Sequence, residues 1–109
     1  MELSQKKCRP CEGLEKPLNS SEIQDLIKQL EGWEVIDDKK IKKDFRFKGF
    51  KEVMVFVNKV AGVAEIEQHH PNIYIFYSHV KIELSTHAIG GLSENDFIMA
   101  AKIDKLKDV

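Results

Sequence analysis

Residues 71–85, which read PNIYIFYSHVKIELS, decide the fold class of this chain. Val80, Ile82 and Leu84 alternate with polar residues, which is the period-two pattern of a strand with one buried face. The run from Ile73 to Ser78 is rich in β-branched and aromatic side chains, which favour strands. The stretch therefore predicts a β-hairpin, with its second strand at Val80–Ser85.

A long helix is predicted immediately before this hairpin, from about Gly49 to Gln68. Pro71 bars further helix and biases the residue before it toward an extended conformation. Apolar residues recur every three or four positions along the helix, as they do on a face that packs against a core. The members of this predicted stripe are Phe50, Val53, Met54, Val57, Val60, Ala61 and Ala64.

Two further helices are predicted from their capping residues. Asn19 can cap the first, and Glu22 three residues later completes a capping box. Gly32 is suited to end that helix in a left-handed conformation. Ser93 can cap the third, with Asp96 at the capping-box position. The third helix is expected to face the core with Ala100, Ile103 and Leu106.

A second pair of strands is predicted between the first two helices, around residues 33–35 and 41–47, with a turn at 37–40. The order is then helix, strand, strand, helix, strand, strand, helix. Hairpins joined by helices favour a two-layer α+β sandwich, a four-stranded antiparallel sheet with three helices on one face. A homo-oligomer is a natural way to protect the uncovered sheet face or edge.

The chain has 109 residues, the length of one domain. Residues 1–17 are polar and contain two of the three prolines, so we expect a flexible arm followed by one domain at 18–109. No apolar run approaches the roughly 20 residues of a membrane span, and the first residues lack the apolar stretch of a secretory signal. We therefore expect a cytoplasmic protein with no membrane partner.

Three of the four histidines are expected to meet. His69 and His70 follow the long helix, and His87 follows the last strand. Because a hairpin runs out and back, its two ends lie close in space, and so should these residues. Histidine both gives and takes a proton near neutral pH, so a shared cleft would suit acid–base catalysis. Glu65, four residues before His69, could orient one imidazole from the same helical face.

Other interpretations of the same residues stay open. Histidines at the C-terminal end of a helix are often simply favourable partners of the helix dipole, with no catalytic role. A zinc site is disfavoured because consecutive residues point in opposite directions and no His-x-His spacing occurs. Cys8 and Cys11 lack the two further ligands that zinc requires, so a pair of reduced thiols is expected.

Residues 39–51 carry seven basic side chains interleaved with three phenylalanines, a pattern that could bind RNA or single-stranded DNA. The strand alternation instead favours aromatic side chains inside and cations in solvent. The formal net charge of −1 also provides no general attraction to a polyanion. We therefore expect no nucleic-acid partner.

Taken together, these motifs resemble the pterin-4a-carbinolamine dehydratase family. The resemblance spans about residues 18–104 and rests on Gly32-Trp33, Phe45-x-Phe47-x-x-Phe50, Glu65-x-x-x-His69-His70-Pro71, Tyr77, Leu84-Ser85-Thr86-His87 and Gly91-Leu92-Ser93-x-x-Asp96. It implies an α+β sandwich that forms homodimers or homotetramers and uses no metal and no organic cofactor. The implied reaction is dehydration of 4a-hydroxytetrahydrobiopterin, in the recycling of the pterin used by aromatic amino acid hydroxylases.

The resemblance also implies roles for individual residues. It assigns His69, His70 and His87 to the catalytic site, with His69 and His87 in acid–base work and His70 in orienting the pterin. The implied substrate-binding set adds Pro71, Thr86, Ala88 and Ile89, and the implied supporting residues are Glu65, Asp96 and Trp33. The chain departs from the family pattern at Asn72-Ile73 and at Ala88-Ile89.

Some members of the family also act as dimerisation cofactors of transcription factors in animals. A protein-binding module is therefore the alternative function, and a protein that binds pterin without turnover is a third.

Overall fold

The computed structural model describes residues 2–10 and 15–107. Within them, the chain forms the predicted order of elements, and the fold class is confirmed. The helices are α1 (Ser20–Ile27), α2 (Phe50–Glu67) and α3 (Glu94–Lys107), and short 3₁₀ turns lie at Leu3–Gln5 and His87–Ile89. The strands are β1 (Glu34–Ile36), β2 (Lys40–Arg46), β3 (Asn72–Ile75) and β4 (His79–Leu84).

The strands form one antiparallel sheet in the order β1-β2-β4-β3. Register places Ile41 opposite Leu84 and Phe45 opposite Val80, so the apolar residues of the two central strands share one face. All four are buried there. The opposite face is mostly polar, because successive side chains of a strand point to opposite sides of the sheet.

The predicted cap of α1 is confirmed, but the helix ends earlier than expected. Asn19 Oδ1 accepts from Glu22 N–H, and Glu22 Oε1 accepts from Asn19 N–H, both at 2.9 Å. The helix ends at Ile27 because the next amides, Gln29 and Leu30, bond carbonyls only three residues back. Gly32 does adopt the left-handed conformation, with φ of 80°, as part of the loop.

The buried face of α2 is rotated relative to the predicted stripe. Its buried residues are Val53, Phe56, Val60 and Ala64. Phe56 was not among the predicted core residues, yet its ring packs 4.9 Å from that of Phe45 in the sheet. Phe50 was predicted to be in the core and is 50% exposed. Phe56, rather than Phe50, is therefore the aromatic residue that α2 places in the core, whereas Met54 and Val57 of the predicted stripe pack at its margin.

The N-terminal segment has defined contacts over residues 2–10. Leu3 is 5% exposed within the hydrophobic core. Lys102 Nζ donates to Ser4 O at 3.1 Å, and Lys6 forms an ion pair with Glu94 at 2.9 Å. These contacts hold residues 3–6 of the expected arm against α3. The expected boundary of the domain at residue 18 stays a prediction.

The last strand begins at His79, one residue before the predicted start at Val80. The ring of His79 stacks on Phe76 with the ring centroids 4.2 Å apart. Tyr77, at the tip of the hairpin, is 74% exposed. In the described part of the chain, no helix is long and apolar enough to cross a membrane.

Candidate active site

A single buried carboxylate ties together the three elements that surround the histidines. Asp96, in the first turn of α3, has a completely buried side chain. Its Oδ1 lies 2.7 Å from His69 Nε2, and its Oδ2 accepts from the Thr86 hydroxyl at 2.8 Å and from Ser93 N–H at 3.0 Å. Since an ionised carboxylate only accepts hydrogen bonds, the imidazole donates its Nε2–H.

Only one of the two hydrogen bonds of the capping box predicted for α3 is formed. The Ser93 hydroxyl, which would make the other, instead contacts Thr86 beside the histidines. Asp96 accepts from Ser93 N–H as expected, but the Ser93 hydroxyl lies 2.8 Å from Thr86 Oγ1. Thr86 gives its only hydroxyl hydrogen to Asp96, so the Ser93 hydroxyl donates to Thr86. The end of β4 is thereby joined to the start of α3.

The end of α2 places His69 next to Asp96. Gln68 adopts a left-handed conformation with φ of 52°, which stops the helix. His69 N–H still reaches back to Ala64 O at 3.3 Å, so the backbone turns tightly there. Its side chain is 11% exposed. The left-handed residue therefore directs His69 away from the helical face and toward α3.

His70 takes the carboxylate that sequence spacing assigned to His69. Its Nε2 lies 2.5 Å from Glu65 Oε2, and both side chains are largely exposed. Helical spacing placed Glu65 on the face of His69, but its carboxylate contacts the imidazole of His70, because the helix does not continue through residue 69. The turn at Gln68 breaks that helical spacing, and the buried Asp96 becomes the partner of His69.

A short closed loop presents His87. Thr86 N–H donates to Gly91 O at 2.8 Å, and Gly91 N–H donates back to Thr86 O at 3.4 Å. The intervening residues form the 3₁₀ turn His87–Ile89, which ends at Gly90 with φ of 68°. A positive φ is readily adopted by glycine. His87 is exposed at the start of this turn.

One cavity of about 590 Å³ brings the three histidines together. The other lining residues are Cys8, Arg9, Pro10, Ile66, Glu67, Gln68, Ser85, Thr86, Ala88 and Asn95. Of the expected substrate-binding residues, Pro71 is not in the lining. Ile89 lines a neighbouring cavity of about 330 Å³, which shares Arg9, Pro10 and Asn95 with the first.

Trp33 lies away from the histidines. Its indole Nε1–H donates to both oxygens of Asp104 at 3.1 Å, and its ring meets Phe45 edge-on. Lys43 Nζ also contacts Asp104, at 2.9 Å. A cavity of about 670 Å³ beside this cluster is larger than the histidine cavity, but it contains no histidine. Size alone therefore does not identify the reactive site.

Sequence reasoning missed the contribution of the N-terminal segment. Cys8, Arg9 and Pro10 line the histidine cavity, together with Asn95 and Glu67. Burial, followed by the charge of Glu67, raises the pKa of the Cys8 thiol to about 12, so this thiol stays protonated. Cys11 lies outside the described residues, as does the pairing of the two cysteines. No local pattern signals these contacts, because they join residues far apart in sequence.

The arrangement is suited to proton transfer. The cavity offers three imidazoles, one of them fixed by a buried carboxylate. Among residues 2–10 and 15–107, no three or more histidine, cysteine, aspartate or glutamate side chains cluster as a metal site would require. Fold and site together define a class: a small α+β sandwich with a histidine cavity suited to acid–base chemistry on a small molecule.

Comparison with known proteins narrows this class to a family. The sequence model of the family described as pterin 4 alpha carbinolamine dehydratase matches residues 16–106. The chain belongs to the pterin-4-alpha-carbinolamine dehydratase family.

Relatives and solved structures agree with this assignment. A protein of Nitrosospira multiformis, provisionally named a pterin-4-alpha-carbinolamine dehydratase, is 51% identical over 96% of this chain and 92% of its own. One of Legionella pneumophila with the same provisional name is 50% identical over 96% and 95%. A crystal structure from Brucella melitensis, described as a transcriptional coactivator/pterin dehydratase, has a TM-score of 0.80. It is 32% identical and covers 84% of this chain and 99% of its own.

A pterin dehydratase-like protein described as a RuBisCO assembly factor in the alpha-carboxysome shares the fold. Its TM-score is 0.61 and its sequence identity 24%, and the match covers 71% of this chain and 90% of the other.

Proposed function

We propose that this protein dehydrates 4a-hydroxytetrahydrobiopterin to quinonoid dihydropterin and water by histidine acid–base catalysis. The observation that carries the proposal is the cavity in which His69, His70 and His87 meet, with His69 bonded to the buried Asp96. Family membership supports pterin as the class of substrate. The reaction would return oxidised pterin for reuse by aromatic amino acid hydroxylases.

The reaction needs one proton delivered and one removed. The hydroxyl on C4a leaves as water once it is protonated, because hydroxide is a poor leaving group. The lone pair of N5 then forms the new C4a–N5 double bond, and the N5 proton goes to a base while the electrons of the N5–H bond stay on N5. Acid–base catalysis by positioned side chains typically accelerates such steps by about 10²–10⁴-fold.

In this proposal, His69 is the base that accepts the N5 proton. Its Nε2–H is engaged by Asp96, so the neutral ring carries its lone pair on Nδ1. When Nδ1 takes the proton, the buried carboxylate stabilises the resulting imidazolium, as opposite charges in a poorly solvated site attract strongly. The same hydrogen bond fixes the orientation of the ring, which reduces the entropy lost on reaching the transition state.

His87 is the acid in this proposal, and His70 orients the substrate. His87 is exposed at the start of a short turn that lines the cavity, where it can regain a proton from solvent after each turnover. His70 holds an exposed contact with Glu65 and can exchange that contact for a polar group of the pterin. The Thr86 hydroxyl donates a hydrogen bond to Asp96 and so helps to hold the carboxylate that contacts His69.

Stopped-flow absorbance of the decay of 4a-hydroxytetrahydrobiopterin tests the proposal. The wild-type protein should accelerate the decay over buffer. His69→Ala combined with His87→Ala should remove most of that acceleration. The matched control is His79→Ala, because His79 stacks on Phe76 and does not line the cavity. A wild-type decay equal to buffer would refute the proposal.

A homo-oligomer and a cytoplasmic location are part of the proposal. The outer edge of the sheet supports association, since Tyr74, Ile75 and Phe76 of the β3 segment are each more than 40% exposed. Sedimentation velocity of the purified protein tests it: a species of two or four chains is expected, and a monomer at micromolar concentration would contradict this part.

Protein binding is the second candidate function. The feature that favours it is the polar outer face of the sheet, where the register places Lys81 opposite Asp44 and Lys42 opposite Glu83, so that charges of both signs are presented to a partner. The Brucella relative described as a transcriptional coactivator is consistent with such a role. A purified partner should then keep its affinity for the variant that lacks His69 and His87. Loss of affinity in that variant would argue against a separate binding function.

A further inference from the structure

The segment formed by residues 2–10, which we call the N-terminal strap, is fastened beside the histidine cavity. Cys8 N–H donates to Glu67 Oε1 at 2.8 Å. Asn95 makes two hydrogen bonds with the backbone of Arg9: its Oδ1 accepts from Arg9 N–H at 2.9 Å, and its Nδ2 donates to Arg9 O at 2.6 Å. At the other end of the strap, Leu3 is buried in the core.

The two anchor residues also border the catalytic groups. Asn95 immediately precedes Asp96, the carboxylate that holds His69. Glu67 is the last residue of α2, two positions before His69, and it also contacts Lys102 Nζ at 3.7 Å. The strap is therefore positioned by the same helix ends that position the histidines. Its place relative to the reacting groups is fixed by partly buried hydrogen bonds.

These contacts leave the side chain of Arg9 available to a ligand. Both backbone polar groups of Arg9 are satisfied by Asn95, so its guanidinium plays no part in fastening the strap. The residue is exposed and lines the same cavity as the histidines. A guanidinium presents five N–H donors in a planar fork, which suits oxygen acceptors on a ligand.

The chemistry of the substrate identifies the acceptors. In the proposed reaction the histidines act on C4a and N5 of the pterin, and the variable substituent is carried on C6, the carbon bonded to N5. A substituent on C6 extends from the reacting edge of the ring, and Arg9 lines the same cavity as the histidines that act on that edge. We infer that Arg9 is a specificity-determining residue that binds the hydroxyl groups of the C6 side chain. This inference rests on the proposed function.

Two matched substrates test the inference, one with a dihydroxypropyl group at C6 and one with a methyl group. Arg9→Ala should lower kcat/KM for the dihydroxypropyl substrate about tenfold, the size expected for the loss of a charge-assisted hydrogen bond, chiefly through KM. The methyl substrate should change by less than about twofold, since it offers no hydroxyl. Arg9→Lys should recover part of the loss. Lys7→Ala, which removes an exposed cation of the strap outside the cavity, should leave both substrates unchanged.

Equal losses for both substrates, or no loss for either, would overturn the inference. Circular dichroism confirms that each variant is folded, which is expected because Asn95 binds only the backbone of Arg9. Fluorescence titration with the corresponding non-reacting 7,8-dihydropterins separates this result from the proposed function. Absence of turnover with selective binding that depends on Arg9 would refute the dehydratase proposal alone. Turnover that is indifferent to Arg9 would refute the specificity role alone.

Discussion

Replacing Asp96 with asparagine tests how His69 is held. The substitution keeps the size and shape of the side chain but removes its charge. An asparagine Oδ1 could still accept from Thr86 and Ser93, the two neutral donors that now contact Oδ2. The other position would become an NH₂ group facing His69 Nε2, where the carboxylate now accepts at 2.7 Å. An amide donor there favours the tautomer with a bare Nε2 and a proton on Nδ1.

The cost to catalysis follows from that tautomer. The nitrogen that faces the substrate would carry a proton and could not accept another, and no carboxylate would stabilise the imidazolium. Loss of one positioned base is worth about 10²–10⁴-fold in rate. This corresponds to about 2.7–5.4 kcal/mol in the activation barrier. Stability should fall by less, because most donors around the side chain keep an acceptor.

Single-turnover stopped-flow measurements on the Asp96→Asn variant provide the assay, with urea unfolding to measure stability. Asp96→Ala is the contrasting variant. It leaves the Thr86 hydroxyl and Ser93 N–H without the carboxylate that accepts from them, and should lose about 1–3 kcal/mol of stability for each unsatisfied group besides activity. Nitrogen-15 NMR of the His69 ring should show the proton moving from Nε2 to Nδ1 in Asp96→Asn.

An Asp96→Asn protein that keeps more than half of the wild-type rate would refute this reasoning. So would a lost rate with the His69 proton still on Nε2, since the carboxylate would then act by some other means.

Three further outcomes are expected. In a Cys11→Ser background at pH 8, Cys8 of the folded protein should react with iodoacetamide far more slowly than Cys8 of the protein unfolded in urea. The reason is that burial, aided by the charge of Glu67, raises the pKa of the Cys8 thiol from 9.0 to about 12. Equal rates in the folded and unfolded protein would contradict this. Leu3→Ala should lower the free energy of unfolding by about 2 kcal/mol, since Leu3 is 5% exposed in the core, and an unchanged urea midpoint would mean that this contact does not stabilise the fold. Tyr74→Phe should flatten the pH profile of stability at both ends. Burial raises the pKa of Glu83, but hydrogen bonds from Tyr74 and Lys40 outweigh burial and leave that pKa lowered. The stability that these bonds contribute is therefore lost as the pH falls below 4.5. The same bond raises the pKa of Tyr74, so its contribution is lost as the pH rises above 10.0; an unchanged profile in Tyr74→Phe would exclude the bond from stability.

The core of the sheet was predictable because its signal is local. Strand alternation reports on residues two apart, and the antiparallel register places Ile41, Phe45, Val80 and Leu84 on the buried face, as the alternation indicated. Helical periodicity predicts the buried residues of a helix less precisely, because apolar residues at spacings of three and of four define overlapping faces. The stripe predicted for α2 therefore omitted Phe56, which the sheet selects through its contact with Phe45.

The proximity of the histidines at the two ends of one hairpin was also predictable from the sequence, since a hairpin brings its ends together. The side chains that contact these histidines were not predictable in this way. His69 meets Asp96, 27 residues away, and Arg9 meets Asn95, 86 residues away. By itself, the sequence determined the order of elements, the N-terminal cap of α1 and the meeting of the histidines near the two ends of the hairpin, because these depend on near neighbours. Only the tertiary structure decided which carboxylate holds which imidazole and that the strap lines the cavity, because those contacts depend on how α3 packs against both α2 and the start of the chain.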